Sequence, residues 1–172
     1  GAGNLNLDWQ FTLRYVDTKV ARPRWRFNAA YRVNPRLSVG LEFNPSVSEV
    51  LPTLNWIMST ETDQAPLVSF GTSSDRIFTP EGNRAYYVTF AKGILGTPLS
   101  PYVSINYSEF ENGFNFPFGV NVGLSPKWDF LPMHDGRRFH VLLNYKMERS
   151  NLSFMLIDLA RPRPGISYGF GF

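Results

Sequence analysis

Two histidines limit the chemistry open to this chain. His134 stands in "LPMHDGRR" and His140 in "RRFHV". They lack the spacing of a zinc site, and the absence of cysteine removes thiolate ligands and disulfides alike. Acyl transfer of the Ser–His–acid kind would need His140 beside Ser153 or Ser104, and nothing in the sequence makes those residues neighbours. The glycines of "GVNVG" and "GISYGFGF" belong to strand-like stretches and not to a strand-to-helix turn, so no loop is built to cradle phosphate. The expectation is a protein without enzymatic activity, cofactor or metal.

Cations are the other chemical resource. "ARPRWRF" carries Arg22, Arg24 and Arg26 at alternating positions. Guanidinium forks match phosphate oxygens, so a phosphate or lipopolysaccharide contact is one reading. An internal salt-bridge network with Asp8 and Glu42 is a second, and a constriction that favours anions a third. "RPRPG" is either a basic rim or a stiff turn. A net charge of +3 on 172 residues is too small to argue for nucleic acid, and none is expected as a partner.

The elements that must carry these residues are strands. No 3.6-residue stripe is long enough for a helix, whereas period 2 recurs throughout. Leu5, Leu7, Trp9, Phe11, Leu13 and Tyr15 form one face of the first segment. Trp25, Phe27, Ala29, Tyr31 and Val33 follow, then Leu37, Val39, Leu41 and Phe43. The pattern returns with Phe114, Phe116, Phe118, Val120, Val122 and Leu124, and with Phe139, Val141, Leu143, Tyr145 and Met147. Ile166, Tyr168, Phe170 and Phe172 complete it. Weaker strands are read at about 52–60, 65–72, 84–94, 101–110 and 151–160. Loops rich in Pro, Gly, Asn, Asp and Ser separate them, the longest at 73–84 and 125–138. A single domain over 1–172 is expected, since no linker or repeat divides the chain.

Mean hydropathy is -0.20, and no apolar run reaches the ~20 residues of a spanning helix. Alternating strands escape that test. Three features point the apolar face toward lipid rather than toward a core. That face carries no charge in any of the six clear segments and stays clean over the ~9–11 residues a tilted strand needs to cross a bilayer. The opposite face mixes Gly40, Gly119, Gly123, Gly169 and Gly171 with Asp8, Arg14, Arg24, Arg26, Arg32, Glu42 and Lys146, a set suited to filling a narrow lumen. Tyr and Trp recur near strand ends, where membrane girdles sit. Leu7, Trp9, Phe11, Leu13, Trp25, Phe27, Phe116, Phe118, Val120, Val141 and Leu143 are then lipid-facing.

The closing "SYGFGF" resembles the terminal strand of bacterial outer-membrane β-barrel proteins, which alternates aromatics and ends on Phe. It departs from that pattern in having both Gly169 and Gly171. The resemblance implies export with the signal peptide removed, which the small-residue start "GAGNLN" fits, and an outer-membrane location. It also implies that Tyr168, Phe170 and Phe172 are read by the assembly machinery. Such barrels have an even number of strands, yet eleven are counted, so one of 52–60, 65–72 and 151–160 is wrong or a strand is missing.

The sequence therefore predicts an antiparallel up-and-down transmembrane β-barrel of about ten strands, with eight or twelve as alternatives. Its expected role is a structural or assembly subunit or a narrow pore. A soluble β-barrel or sandwich binding an apolar ligand is second, and a barrel enzyme acting on lipids third. Membrane lipid or lipopolysaccharide would surround it. Loop 125–138 exposes Trp128, Phe130, Leu131 and Met133, apolar enough to dock another envelope subunit or plug the mouth.

Overall fold

The computed structural model describes residues 8–20 and 24–172. Leu5, Leu7 and Arg22 lie outside them. The chain forms β1 (Trp9–Val16), β2 (Trp25–Asn34), β3 (Leu37–Asn44), β4 (Glu49–Ser59), β5 (Leu67–Ser74), β6 (Arg84–Ala91) and β7 (Leu99–Ser108). It continues with β8 (Gly113–Asn115), β9 (Phe118–Gly123), β10 (Trp128–His134), β11 (Phe139–Lys146), β12 (Ser150–Ile157) and β13 (Arg163–Gly171). Sequence neighbours pair antiparallel, except that β8 and β9 both pair with β7, and β1 closes on β13 with Phe11 opposite Phe170. A closed ring leaves no ladder edge unpaired, the condition for a sheet in hydrocarbon.

β8 and β9 are two pieces of one strand. Both lie on the same edge of β7 in unbroken register, Asn106 facing Asn115 and Val103 facing Phe118. Pro117 interrupts them because it has no N–H to donate, although its carbonyl still accepts from the Ser104 N–H at 2.7 Å. The ring therefore has twelve strands, not about ten. The three doubtful segments are all real, as β4, β5 and β12. The missing strand is β10, inside the stretch read as loop 125–138. Trp128, Phe130, Leu131 and Met133 thus lie in the barrel wall between β9 and β11, and not on an exposed loop.

β10 evaded the sequence reading because its alternation is apolar on both faces and it holds Pro132. The ladder to β9 skips Leu131 and Pro132, resuming at Met133 opposite Gly119. Elsewhere, alternation decides the orientation of every side chain. Trp9, Trp25, Phe27, Leu41, Trp56, Phe114 and Phe154 point outward and are exposed. Glu42, Asn44, Asn106, Asp129, Ser153 and His140 point inward and are buried. The molecule is inside out relative to a water-soluble sandwich, polar within and apolar without.

The inward glycines make room for rings. A Cβ at Gly71 would come within 2.5 Å of the Tyr87 ring, and one at Gly119 within 2.8 Å of Tyr102. Both tyrosines therefore lie against the wall of the neighbouring strand. The start of β1 and the end of β13 share one end of the barrel with the turns after β2, β4, β6, β9 and β11. The opposite end, here called the mouth, carries the turns after β1, β3, β5, β7, β10 and β12.

Candidate functional site

Inward side chains near the mouth line a partly open cavity of about 350 Å³. Its walls differ in character. β1–β3 supply Arg14, Arg26, Glu42 and Asn44, and β6–β7 supply Tyr87, Thr89, Tyr102, Ser104 and Asn106. Leu142, Met155 and Ile157 of β11–β12 add an apolar patch.

Charge inside is neutralised locally. Glu42, wholly buried, pairs with Arg26 at 2.8 Å, and Asn44 Nδ2 donates to it at 3.0 Å and to Glu49 at 2.8 Å. Toward the terminal end, Lys146 pairs with Asp129 at 2.6 Å while Asn144 donates to the same carboxylate. Arg14, Arg26 and Glu42 thus meet on one cavity. Lys146 finds its partner in a residue of the unforeseen β10. Arg24 stands at the rim, donating to the Thr18 carbonyl at 2.8 Å, and Asp8 is exposed just ahead of β1. Arg32 lies at the terminal end of β2, apart from the cavity.

The loop between β5 and β6, residues 75–83, folds across the mouth. Ile77 lines the cavity, and Phe78 packs with Ile77 and Leu142 around Val16, Met155 and Ile157. β5 and β12 stand half the ring apart, so the loop spans the opening like a strap. The Arg138 guanidinium lies 4.8 Å from the Phe78 ring centre and that of Arg163 6.0 Å. The near side is tied as well. Ser108 Oγ donates to Asp75, Arg76 pairs with Glu111, and the Gly82 N–H donates to Glu49. Arg137 reaches the other Glu111 oxygen at 2.6 Å.

The outward and terminal residues are placed as follows. Trp9, Phe11, Leu13, Trp25, Phe27, Phe118, Val120, Val141 and Leu143 share the outer face, and Phe116 sits there in the gap between β8 and β9. Trp128 and Phe130 join them, while Leu131 and Met133 turn inward. Tyr168 and Phe170 are outward on β13, and the Phe172 backbone exchanges hydrogen bonds with Trp9 at 3.0 and 3.1 Å.

His140 is fully engaged. Its Nδ1 accepts the Asp158 N–H at 3.0 Å and its Nε2 meets Asp135 at 2.9 Å. Neither nitrogen is left to take a proton from Ser104 or Ser153, and Ser104 already shares a 2.7 Å hydrogen bond with Thr89. His134 faces outward, 4.6 Å from the Phe139 ring centre. No metal-binding cluster of His, Cys, Asp or Glu occurs among the described residues. Burial would raise the Asp135 pKa, but the His140 hydrogen bond and the N–H groups of Arg138 and Arg137 hold it below the ordinary 3.8. At Glu111 desolvation is the largest single effect and raises the pKa, but the hydrogen bonds and charges of Arg76 and Arg137 together outweigh it, leaving it below 4.5.

Sequence reasoning missed the strap. The only signal was the pair Ile77–Phe78 inside the polar stretch "SSDRIFTPEGN".

A structure described as "NanC porin structure in rhombohedral crystal form" superimposes over 95% of this chain and 98% of that one. The TM-score is 0.56 at 11% sequence identity. The fold is that of a porin barrel. At that identity the likeness concerns architecture. No protein-family model and no curated protein matches the sequence. Closed twelve-strand topology and near-complete mutual coverage together account for the porin-like fold, while the strap and its ties are read from this chain alone.

Proposed function

We propose that this chain is an outer-membrane barrel that acts as a narrow, non-enzymatic pore, occluded at its mouth. The observation that carries this is the cavity of about 350 Å³, walled by buried charged groups on one side and an apolar patch on the other, inside a closed ring whose outer face is apolar. Such a surface is at home in lipid and would aggregate in water. The likeness to a porin supports the same reading. The engagement of both His140 nitrogens speaks against a lipid-hydrolysing site.

In this reading the start of β1 and the end of β13 lie on the periplasmic side and the strapped mouth faces outward. Lipid and the acyl chains of lipopolysaccharide surround the belt that includes Trp9, Phe27 and Leu143. The assembly machinery reads Tyr168, Phe170 and Phe172. Trp128 and Phe130, being in the wall, contact lipid rather than a second subunit.

Planar-bilayer recording tests the pore. The protein should give rare, small current steps, and replacing residues 76–81 by a Gly–Ser segment should make them sustained. An electrically silent barrel in both forms, each shown to be folded by heat-modifiable gel mobility, would overturn it.

A further inference from the structure

We infer that residues 75–83 are a hinged gate, latched at Glu111 and clasped at Phe78, whose release exposes the cavity to the outside. Calling the strap a gate rests on the pore reading, but its movement does not.

Three observations carry the inference. First, the strap is held across the mouth by side chains. Its two ends leave adjacent strands, closed at the base by the Asp75 N–H donating to the Asn83 carbonyl at 3.0 Å, and beyond that it crosses to β12 without pairing into any ladder. Its ties include Arg76 to Glu111, Asp75 to Ser108, Glu49 to the Gly82 N–H, and Phe78 against Arg138 and Arg163. Charge-assisted contacts of this kind form and break as units, whereas a β-ladder would resist piecemeal release.

Second, the closed position is strained at its tip. Phe78 has φ +71°, in the left-handed region that a bulky side chain rarely adopts. Such a residue persists only where its surroundings hold it there, as the two guanidinia and the patch of Val16, Met155 and Ile157 do here. Letting go relieves the strain, so the clasp works against a restoring force.

Third, the strap is the cavity's roof over the patch beneath it. Ile77 lines the cavity from above, opposite Leu142, Met155 and Ile157. Swinging the strap away removes that side chain and opens the space to the mouth. Glu111 is the keystone because it binds Arg76 of the strap and Arg137 of the next turn together.

The chain has no cysteine, so a single engineered thiol reports access cleanly. Thr89→Cys lies on the cavity wall, and Glu148→Cys on the exposed turn after β11 serves as control. Each is treated in detergent with a membrane-impermeant trimethylammonium methanethiosulfonate, alone and combined with Glu111→Gln or with Phe78→Ala, which removes the ring but keeps the strained backbone. The expected result is a rise of at least about tenfold in the Thr89→Cys rate in both combinations, the size a lost charge-assisted bond gives. The Glu148→Cys rate should stay unchanged. Equal Thr89→Cys rates with and without the latch would overturn the inference, including the case in which the reagent enters from the terminal end. If Glu111→Gln fails to fold, Phe78→Ala decides alone. Faster labelling with a silent bilayer upholds the gate and ends the pore reading. Current steps without any change in labelling do the reverse.

Discussion

Glu42 has no exposed surface and holds a guanidinium on the lumen wall, so its loss leaves charge behind. Arg14 and Arg26 are directly opposite each other across β1 and β2, and Glu42 stands beside them. Replacing it with alanine removes the counter-charge from a desolvated place, and Glu42→Ala should cost roughly 3 kcal/mol. Urea unfolding in lipid vesicles measures this, and a loss under about 0.5 kcal/mol would show that water screens the site well. Gly136 is a second sensitive residue. Its φ is +93°, and a Cβ there would fall 2.5 Å from Asn115 Oδ1. Gly136→Ala should therefore destabilise by about 1–3 kcal/mol, while the same change at Gly82, where nothing stands within 4 Å, should bear only the backbone strain.

Among the elements, the strap and β10 show what alternation does and does not reveal. β1, β2, β3, β9, β11 and β13 were legible because one face is purely apolar, a pattern only a half-buried or lipid-facing strand needs. β10 was not, because Leu131 and Met133 turn inward to meet other lumen side chains while Trp128 and Phe130 turn outward. Both faces then look alike, and Pro132 adds the mark of a loop. The lumen set was legible as a list of charges but not as pairs. Arg26 with Glu42 and Lys146 with Asp129 depend on register, which turns and bulges fix beyond the reach of a single sequence. The strap's ties also make a pH prediction. Glu111 faces Arg76 and Arg137, and Asp135 faces His140 and two backbone N–H groups. Both carboxyls have lowered pKa values, so their contribution is whole above their ordinary 4.5 and 3.8 and fades as pH falls through the lower folded values. The Thr89→Cys labelling rate divided by that of the Glu148→Cys control, a ratio in which the common loss of thiolate cancels, should rise below about pH 4 and be constant from 6 to 8, and a ratio that peaks near neutrality would contradict the latch.

For the whole molecule, the ring of strands sets which substitutions the membrane notices. Leu143 points outward between Phe130 and Phe154, whereas Asn144 beside it points into the lumen. Leu143→Arg should destabilise the barrel in a bilayer by about 2–4 kcal/mol. Asn144→Arg should leave lipid contacts untouched and act only through Asp129 and Lys146. Equal effects of the two would mean that the outer face does not meet hydrocarbon. The tyrosines seated on Gly71 and Gly119 carry a different consequence. Because each ring takes up the space a Cβ would need at its glycine, side chains as well as the backbone hoop set the free width. Calibre can thus be retuned without adding or removing a strand: a smaller residue at Tyr87 or Tyr102 would bore the passage out, and a larger one at either glycine would force a ring inward and narrow it.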